Sequence, residues 1–201
     1  MIPFRLSTIV EGHGEVEALP RLIRRVAREL PWSGHLLLNP PLRVPRDRFI
    51  RNTAEFERYV ELAARRTQGR GAVLILLDAE EDCPARLGPE LLNRACQFRH
   101  DVPLAVVMPK RKFEAWFVAA APSLGGVENL PQSLQPEPDP ESLSDPKQWL
   151  AEQMRQKYIE PRHQPIFAAR MDLNLARRAP SFDKLCRDLA RLLTSAPAPT
   201  A

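Results

Sequence analysis

The sequence predicts an α/β fold: a four-stranded, mainly parallel sheet flanked by helices, with a C-terminal helical extension. Two observations carry this. Short apolar runs alternate four times with segments whose apolar residues recur at helical spacing, the pattern of βαβ crossovers. Three of those runs also end in acids. Ile9-Val10 stops at Glu11-Gly12-His13-Gly14-Glu15, and Val73 to Leu77 stops at Asp78-Ala79-Glu80-Glu81-Asp82. Leu104 to Met108 leads through Lys110-Arg111-Lys112 to Glu114. In a parallel sheet these ends share one edge, where open α/β sheets bind their ligands.

Phe4 to Val10 alternates and then becomes continuously apolar, as a doubly covered strand does. After a glycine turn, Leu19, Leu22, Ile23 and Val26 recur at helical spacing towards Leu30, where Pro31 follows. His35 to Leu38 reads as a second strand. Asn39 to Pro45 reads as an extended loop, because its prolines bar helix and central strand alike. Thr53 is the expected N-cap of a helix carrying Phe56, Tyr59, Val60 and Ala63, which Gly69 and Gly71 end.

Ala72 to Leu77 is the clearest strand. Pro89 is expected to open a helix over Glu90 to Phe98, and a strand ends at Met108. Lys112 to Ala121 reads as a helix with Phe113, Trp116, Phe117 and Ala120 on one stripe. Between Pro122 and Pro146 periodicity vanishes and proline rises, the pattern of a loop. Asp145-Pro146 caps a helix through Tyr158, and Ser181 a last helix with Leu185, Leu189, Leu192 and Leu193 inward. The expected organisation is a core over 1–121, a Pro-rich insert over 122–146, C-terminal helices packed on the core over 147–194, and a mobile tail over 195–201.

The 201 residues suit one domain with a real core. A formal charge of +4 is compatible with a polyanionic partner without demanding one. Three cysteines without CxxC spacing suggest neither a disulfide framework nor a cysteine zinc site, and point to a reducing cytoplasm. No stretch approaches a membrane span, and the start does not read as a signal peptide.

The glycine turn after the first strand is a poor phosphate cradle. Glu11 and Glu15 flank it, the Walker lysine is absent, and the third glycine of a dinucleotide fingerprint is missing. A divalent cation bridging carboxylate and substrate phosphate removes that conflict. Glu15 and Glu17, in the first helical turn, are accounted for by the helix dipole alone. Glu11 has no such role. Asp78 and Glu80 project to one side if the chain stays extended, and Asp82 joins them if it turns. Glu114 reads equally as ligand, general base or first-turn acid. Lys110, Arg111 and Lys112 read as a phosphate-holding group or a solvated basic turn. His13 can assist proton transfer, though a lone loop histidine usually has no chemical role.

The ordered set Ile9 to Glu15, Leu76 to Glu80 and Phe113-Glu114-Ala115-Trp116-Phe117, with Met171-Asp172-Leu173 and Ser181-Phe182, resembles the TOPRIM-like bacterial family catalogued as domain of unknown function 4276. The likeness covers most of the chain. TOPRIM domains occur in topoisomerases, bacterial primases and nucleases of overcoming-lysogenization-defect proteins. The resemblance implies a TOPRIM/Rossmann-like sheet with first and third strands adjacent. It also implies a glutamate after the first strand and an Asp-x-Asp pair after the third, together binding Mg2+. Those roles fall on Glu11, Asp78 and Glu80, where Glu80 departs from the usual aspartate.

The expected function is Mg2+- or Mn2+-dependent phosphodiester hydrolysis of nucleic acid, DNA first, as an antiphage nuclease beside an ATPase partner. Glu11, Asp78 and Glu114 are the expected catalytic residues. Glu11, Asp78, Glu80 and Asp82 are the expected ligands, with Glu15, Lys110 and Lys112 accessory. No membrane partner is expected, and a homodimer is compatible with the sequence. The alternatives are a non-catalytic binding or regulatory module of a larger complex, and a nucleotide phosphotransferase or hydrolase.

Overall fold

A computed structural model describes residues 2–195. Apart from Ser195, the expected mobile tail lies outside the described residues. The chain is an α/β domain around an all-parallel sheet. Its strands are β1 (Phe4–Val10), β2 (Leu36–Leu38), β3 (Leu42–Arg43), β4 (Gly71–Leu76) and β5 (Leu104–Val107), ordered β2-β1-β4-β5, with β3 also on β1. The expected four strands are present, and β3 is an addition. Residues 42–43, expected in a loop, pair with Ile9 and Val10, continuing the edge that β2 begins on Phe4 to Leu6. Pro40 and Pro41 interrupt that edge, where no further strand needs their missing N–H groups.

Both sheet faces are covered, which is why the strands read as continuous apolar runs. Ala72, Leu74 and Leu76 of β4 face one core, and Val73, Ile75 and Leu77 the other. Helices α2 (Arg46–Arg51), α3 (Thr53–Arg66) and α4 (Pro84–Phe98) cover the second face. The larger first core is built by α1 (His13–Glu29), α5 (Ala115–Ala119), α6 (Pro146–Met154), α7 (Glu160–Arg170), α8 (Leu173–Ala176) and α9 (Pro180–Thr194). The Pro-rich segment contributes Leu124, Leu130 and Leu134 to the same core.

Several helix boundaries differ from expectation for local reasons. Asn52, not Thr53, caps α3, its side chain accepting from the Glu55 N–H at 3.0 Å. Helix α4 starts at Pro84, and Pro89 sits inside it on the exposed side, where the carbonyl that it frees can meet water. Helix α5 is short because Pro122 cannot continue the ladder, and a 3-10 turn over Ala121–Leu124 follows. Helix α6 ends at Met154, with Arg155 in the left-handed region at φ 51°. Ala179 and Pro180 begin α9, so Ser181 lies inside it.

The free edge of β5 is closed by side chains of α9. Lys184 donates to the Val106 carbonyl at 2.9 Å and Arg191 to the Leu104 carbonyl at 2.9 Å. Those acceptors are thereby withheld from another strand.

Candidate functional site

The chain leaves β1 towards β2 on one side and returns to place β4 on the other, so the β1–β4 crevice is the topological switch point of the sheet. Val10 stands beside Leu76. Glu11 therefore follows β1 next to the end of β4, and Asp78 follows Leu77 just beyond it. The first and third of the four expected strands, β1 and β4, are neighbours, as the resemblance implied.

Four carboxylates gather there: Glu11, Glu15, Asp78 and Glu114. Glu15, Asp78 and Glu114 are 5%, 7% and 0% exposed, so desolvation acts on all three. Asp78 Oδ1 accepts the Phe113 N–H at 2.7 Å. Glu15 Oε2 accepts from Gly12 N at 2.7 Å and Glu11 N at 3.2 Å, bracing the start of α1. Glu114 Oε1 accepts from Gln164 Nε2 at 2.8 Å. Glu11 Oε2 and Glu114 Oε2 are buried without a hydrogen-bond partner.

Burial is the first cause that raises the pKa of each of these carboxylates, and repulsion from neighbouring acids adds to it. Desolvation pushes Asp78 well above the usual carboxylate range, and Glu15, Glu114 and Glu11 push it further. Desolvation, with Glu114 and Glu11 adding, lifts Glu15 to about 7 despite its bond from Gly12. Glu11 is raised by desolvation and by Glu80. Glu114 is raised by desolvation, with Lys147 and Gln164 opposing. The charged forms need a counter-charge.

Part of it is protein. Lys147 of α6 donates to Glu160 Oε1 at 2.6 Å; although burial works against its charge, Glu114 and Glu160 hold its pKa above the ordinary value. Arg46 donates to the Asp78 carbonyl at 2.7 Å and the Ala79 carbonyl at 3.0 Å, and lowers the Glu11 pKa from beside it. Tyr158 faces Glu114, and burial and that carboxylate push its phenol well up.

The two glycines of the turn serve close approach rather than an unusual backbone. Gly12 has an ordinary φ of −89°. A Cβ on it would stand 2.9 Å from Glu15 Oε1, and one on Gly14 only 2.2 Å from Gln164 Oε1. The turn is bare because a carboxylate and helix α7 occupy the space that side chains would need.

Residues 10–190 match the family described as domain of unknown function (DUF4276). The chain belongs to that family. Comparison with curated proteins and with solved structures gives no match.

In this DUF4276 chain the residues expected at the site separate into two groups. Glu11, Asp78 and Glu114 come together, and Glu15 joins them from α1. Glu80 does not leave an extended strand: its φ is 52°, and its carboxylate is ion-paired with Lys112, though near enough to raise Glu11. Asp82 is exposed and bonded to Arg46 at 2.6 Å. Lys110 is exposed, Arg111 pairs with Glu81, and Glu17 and His13 face outward. His35 and His100 are exposed, and His163 lies in α7, its Nδ1 accepting from Ile159 N at 2.7 Å.

Sequence reasoning missed Lys147, Tyr158, Glu160 and Gln164, which the C-terminal part of the DUF4276 chain brings to the edge. The signal was present: Glu160-Pro161 is a first-turn proline, followed by His163, Gln164, Phe167, Ala168 and Met171 on one helical face. Arg46 was missed because Pro45 was read as part of a loop rather than the residue before a helix.

Among the described residues, no three histidine, cysteine or acidic side chains stand grouped as an ion's ligand set. Asp78, Glu15 and Glu114 each direct one oxygen to a protein donor instead. The donors of the cluster are nevertheless oxygens, the kind a hard divalent cation takes: buried Glu11 Oε2 has no hydrogen-bond partner, and Glu114 is faced on its free side by the Tyr158 phenol.

Proposed function

We propose that this protein is a Mg2+- or Mn2+-dependent phosphodiesterase acting on nucleic acid, with its centre at the β1–β4 crevice. The observation that carries the reading is the meeting of Glu11, Glu15, Asp78 and Glu114, with buried Glu11 Oε2 and Glu114 Oε2 unpartnered. Repelling carboxylates at a switch point are stabilised by a cation, and the resemblance to TOPRIM domains supports the same class of chemistry.

Asp78 and Glu11 would be the principal ligands, with Glu15 and Glu114 acting on Asp78, while Glu80 and Asp82 are held in ion pairs with Lys112 and Arg46. A bound divalent ion would polarise the phosphodiester and acidify a water. The chain's own residues do the remainder. Gln164 fixes the Glu114 carboxylate, and the Phe113 N–H fixes that of Asp78. Lys147 adds a positive charge beside Glu114, and Lys112 one beside Glu80. Glu11 would be ligand or general base, in the second role taking a proton from an attacking water. An ATPase partner and an antiphage setting belong to this proposal through the resemblance alone.

The test is cleavage of DNA and RNA with Mn2+ or Mg2+. Metal-dependent cleavage that falls by more than about 100-fold in Asp78→Asn and Glu11→Gln supports hydrolysis. Hydrolysis confined to free nucleotides would move the activity to the phosphotransferase class. Inactivity on every substrate would leave a binding module.

A further inference from the structure

The exposed side of α1 borders a groove of about 680 Å3, and the opposite wall is Leu38 to Pro41. Four arginines of α1, Arg21, Arg24, Arg25 and Arg28, line it. Their spacing puts them on one helical face. Arg25 is committed to the fold, donating to the Ala168 and Met171 carbonyls at 2.7 Å each. Arg21, Arg24 and Arg28 are exposed and have no ion pair or side-chain hydrogen bond among the described residues. Like charges at such spacing repel along a helix, so an anion in the groove relieves them. The one acid of the lining is Glu17, at the end nearest the carboxylate cluster.

The far wall is held in place. Asn39 donates to Ser7 Oγ and the Arg66 carbonyl at 2.9 Å each, its N–H donates to the Leu6 carbonyl at 3.0 Å, and Arg66 donates to the Pro40 carbonyl at 3.0 Å. Val16 and Glu17, at the head of the groove, immediately follow Glu15 of the site. With helical rise, Arg21 stands about 9 Å and Arg28 about 20 Å along the axis from Glu15. The groove thus leads away from the carboxylates with cations at short, regular intervals.

We propose that this groove is a track for the sugar-phosphate backbone of a nucleic-acid strand whose reacting phosphodiester lies at the β1–β4 crevice. The inference rests on the proposed function for what happens at the crevice, but not for binding in the groove. A row of arginines at three- and four-residue steps beside a fixed wall suits a repeating anion, and the groove's head at Val16 and Glu17 adjoins Glu15 in the chain. Arg21, Arg24 and Arg28 neutralise phosphates and hold the strand. They are binding residues, not catalytic ones.

The test is fluorescence-anisotropy titration of labelled DNA and RNA oligonucleotides in EDTA across a salt series, where no cleavage intrudes. Each neutralised phosphate contributes about 0.7–0.9 to the salt slope, so Arg21→Gln/Arg24→Gln/Arg28→Gln should weaken binding and lower the slope by about 2–3. A control triple, Arg48→Gln/Arg58→Gln/Arg65→Gln, removes equal charge from α2 and α3 and should bind like the parent. Thermal melts confirm that both variants fold. Equal slopes for the groove triple and the parent, or equal losses in both triples, overturn the track. So does a parent that binds polyglutamate and no oligonucleotide. The metal-loaded parent separates the two ideas: groove-dependent binding without cleavage counts against hydrolysis and leaves the track standing, and cleavage lost in Asp78→Asn with its groove-dependent binding kept supports both.

Discussion

Gln164 on α7 donates a 2.8 Å hydrogen bond to Glu114, while its amide oxygen occupies the space that a Cβ on Gly14 would need. One side chain thereby brings the start of α5, the start of α1 and helix α7 together at the same acidic cluster. A Cβ at position 14 would also stand 2.9 Å from the Glu160 carbonyl, so neither α7 backbone nor side chain leaves room. Gly14→Ala should therefore destabilise by about 1–3 kcal/mol through overpacking. Thermal denaturation reads this as a fall of roughly 2–4 °C per kcal/mol for a domain of this size.

Electrostatics predicts a stability cost confined to the metal-free protein. Glu15 has a folded-state pKa of about 7 against an ordinary 4.5. The folded state then binds more protons than the unfolded one between those values, so its contribution falls as pH rises through the window. Buried His163, with its pKa depressed by desolvation, works in the opposite direction, so the comparison must be between variants. Glu15→Gln keeps an oxygen for the capping bonds. In EDTA, its melting temperature relative to the parent should climb between pH 5 and pH 8, by roughly a few degrees. A flat difference would contradict the raised pKa of Glu15, which burial sets first and neighbouring acids increase.

Divalent cations should reverse that cost. With ligand at 100 times Kd, binding adds about 2.7 kcal/mol, or roughly 5–10 °C here. Differential scanning fluorimetry at pH 8 should show this rise with Mn2+ or Mg2+ in the parent and not in Asp78→Asn.

Ser181 offers a test away from the site. Its hydroxyl accepts from Trp116 Nε1 at 2.7 Å and donates to Glu141, all three being buried. Ser181→Ala strands the indole N–H and leaves the Glu141 carboxylate with the backbone N–H of residue 181 but without the hydroxyl, and should cost about 1–3 kcal/mol in chemical denaturation. Metal-dependent stabilisation should be unchanged in that variant.

The sheet edge gives a further one. Lys184→Ala/Arg191→Ala uncovers two carbonyls of β5, and should lower stability by about 1–3 kcal/mol for the two bonds. Light scattering should show more self-association, because the strand's acceptors become available to another chain.

The strands were legible because both sheet faces are covered, which writes Val73 to Leu77 as an unbroken apolar run. Glu11 and Asp78 followed from that, since strand order brings their ends together. What escaped was set by tertiary contacts. Gly12 and Gly14 looked like a conformational device, yet they are empty space for Glu15 and Gln164. Glu80 looked like a partner of Asp78, but its left-handed backbone and Lys112 break the alternation on which that pairing relied. Helix α7 was masked by its two prolines, and with it Gln164 and Glu160. Lys147 was hidden because its meaning depends on Glu114, a residue distant in the chain.

Whether the buried carboxylates hold an ion decides the proposed chemistry. The most direct measurement is anomalous diffraction from crystals soaked in Mn2+. The account predicts a peak at the β1–β4 crevice, with oxygens of Asp78 and Glu11 at about 2.0–2.4 Å. No peak within reach of Asp78, Glu11, Glu15 or Glu114 at saturating Mn2+ would contradict it.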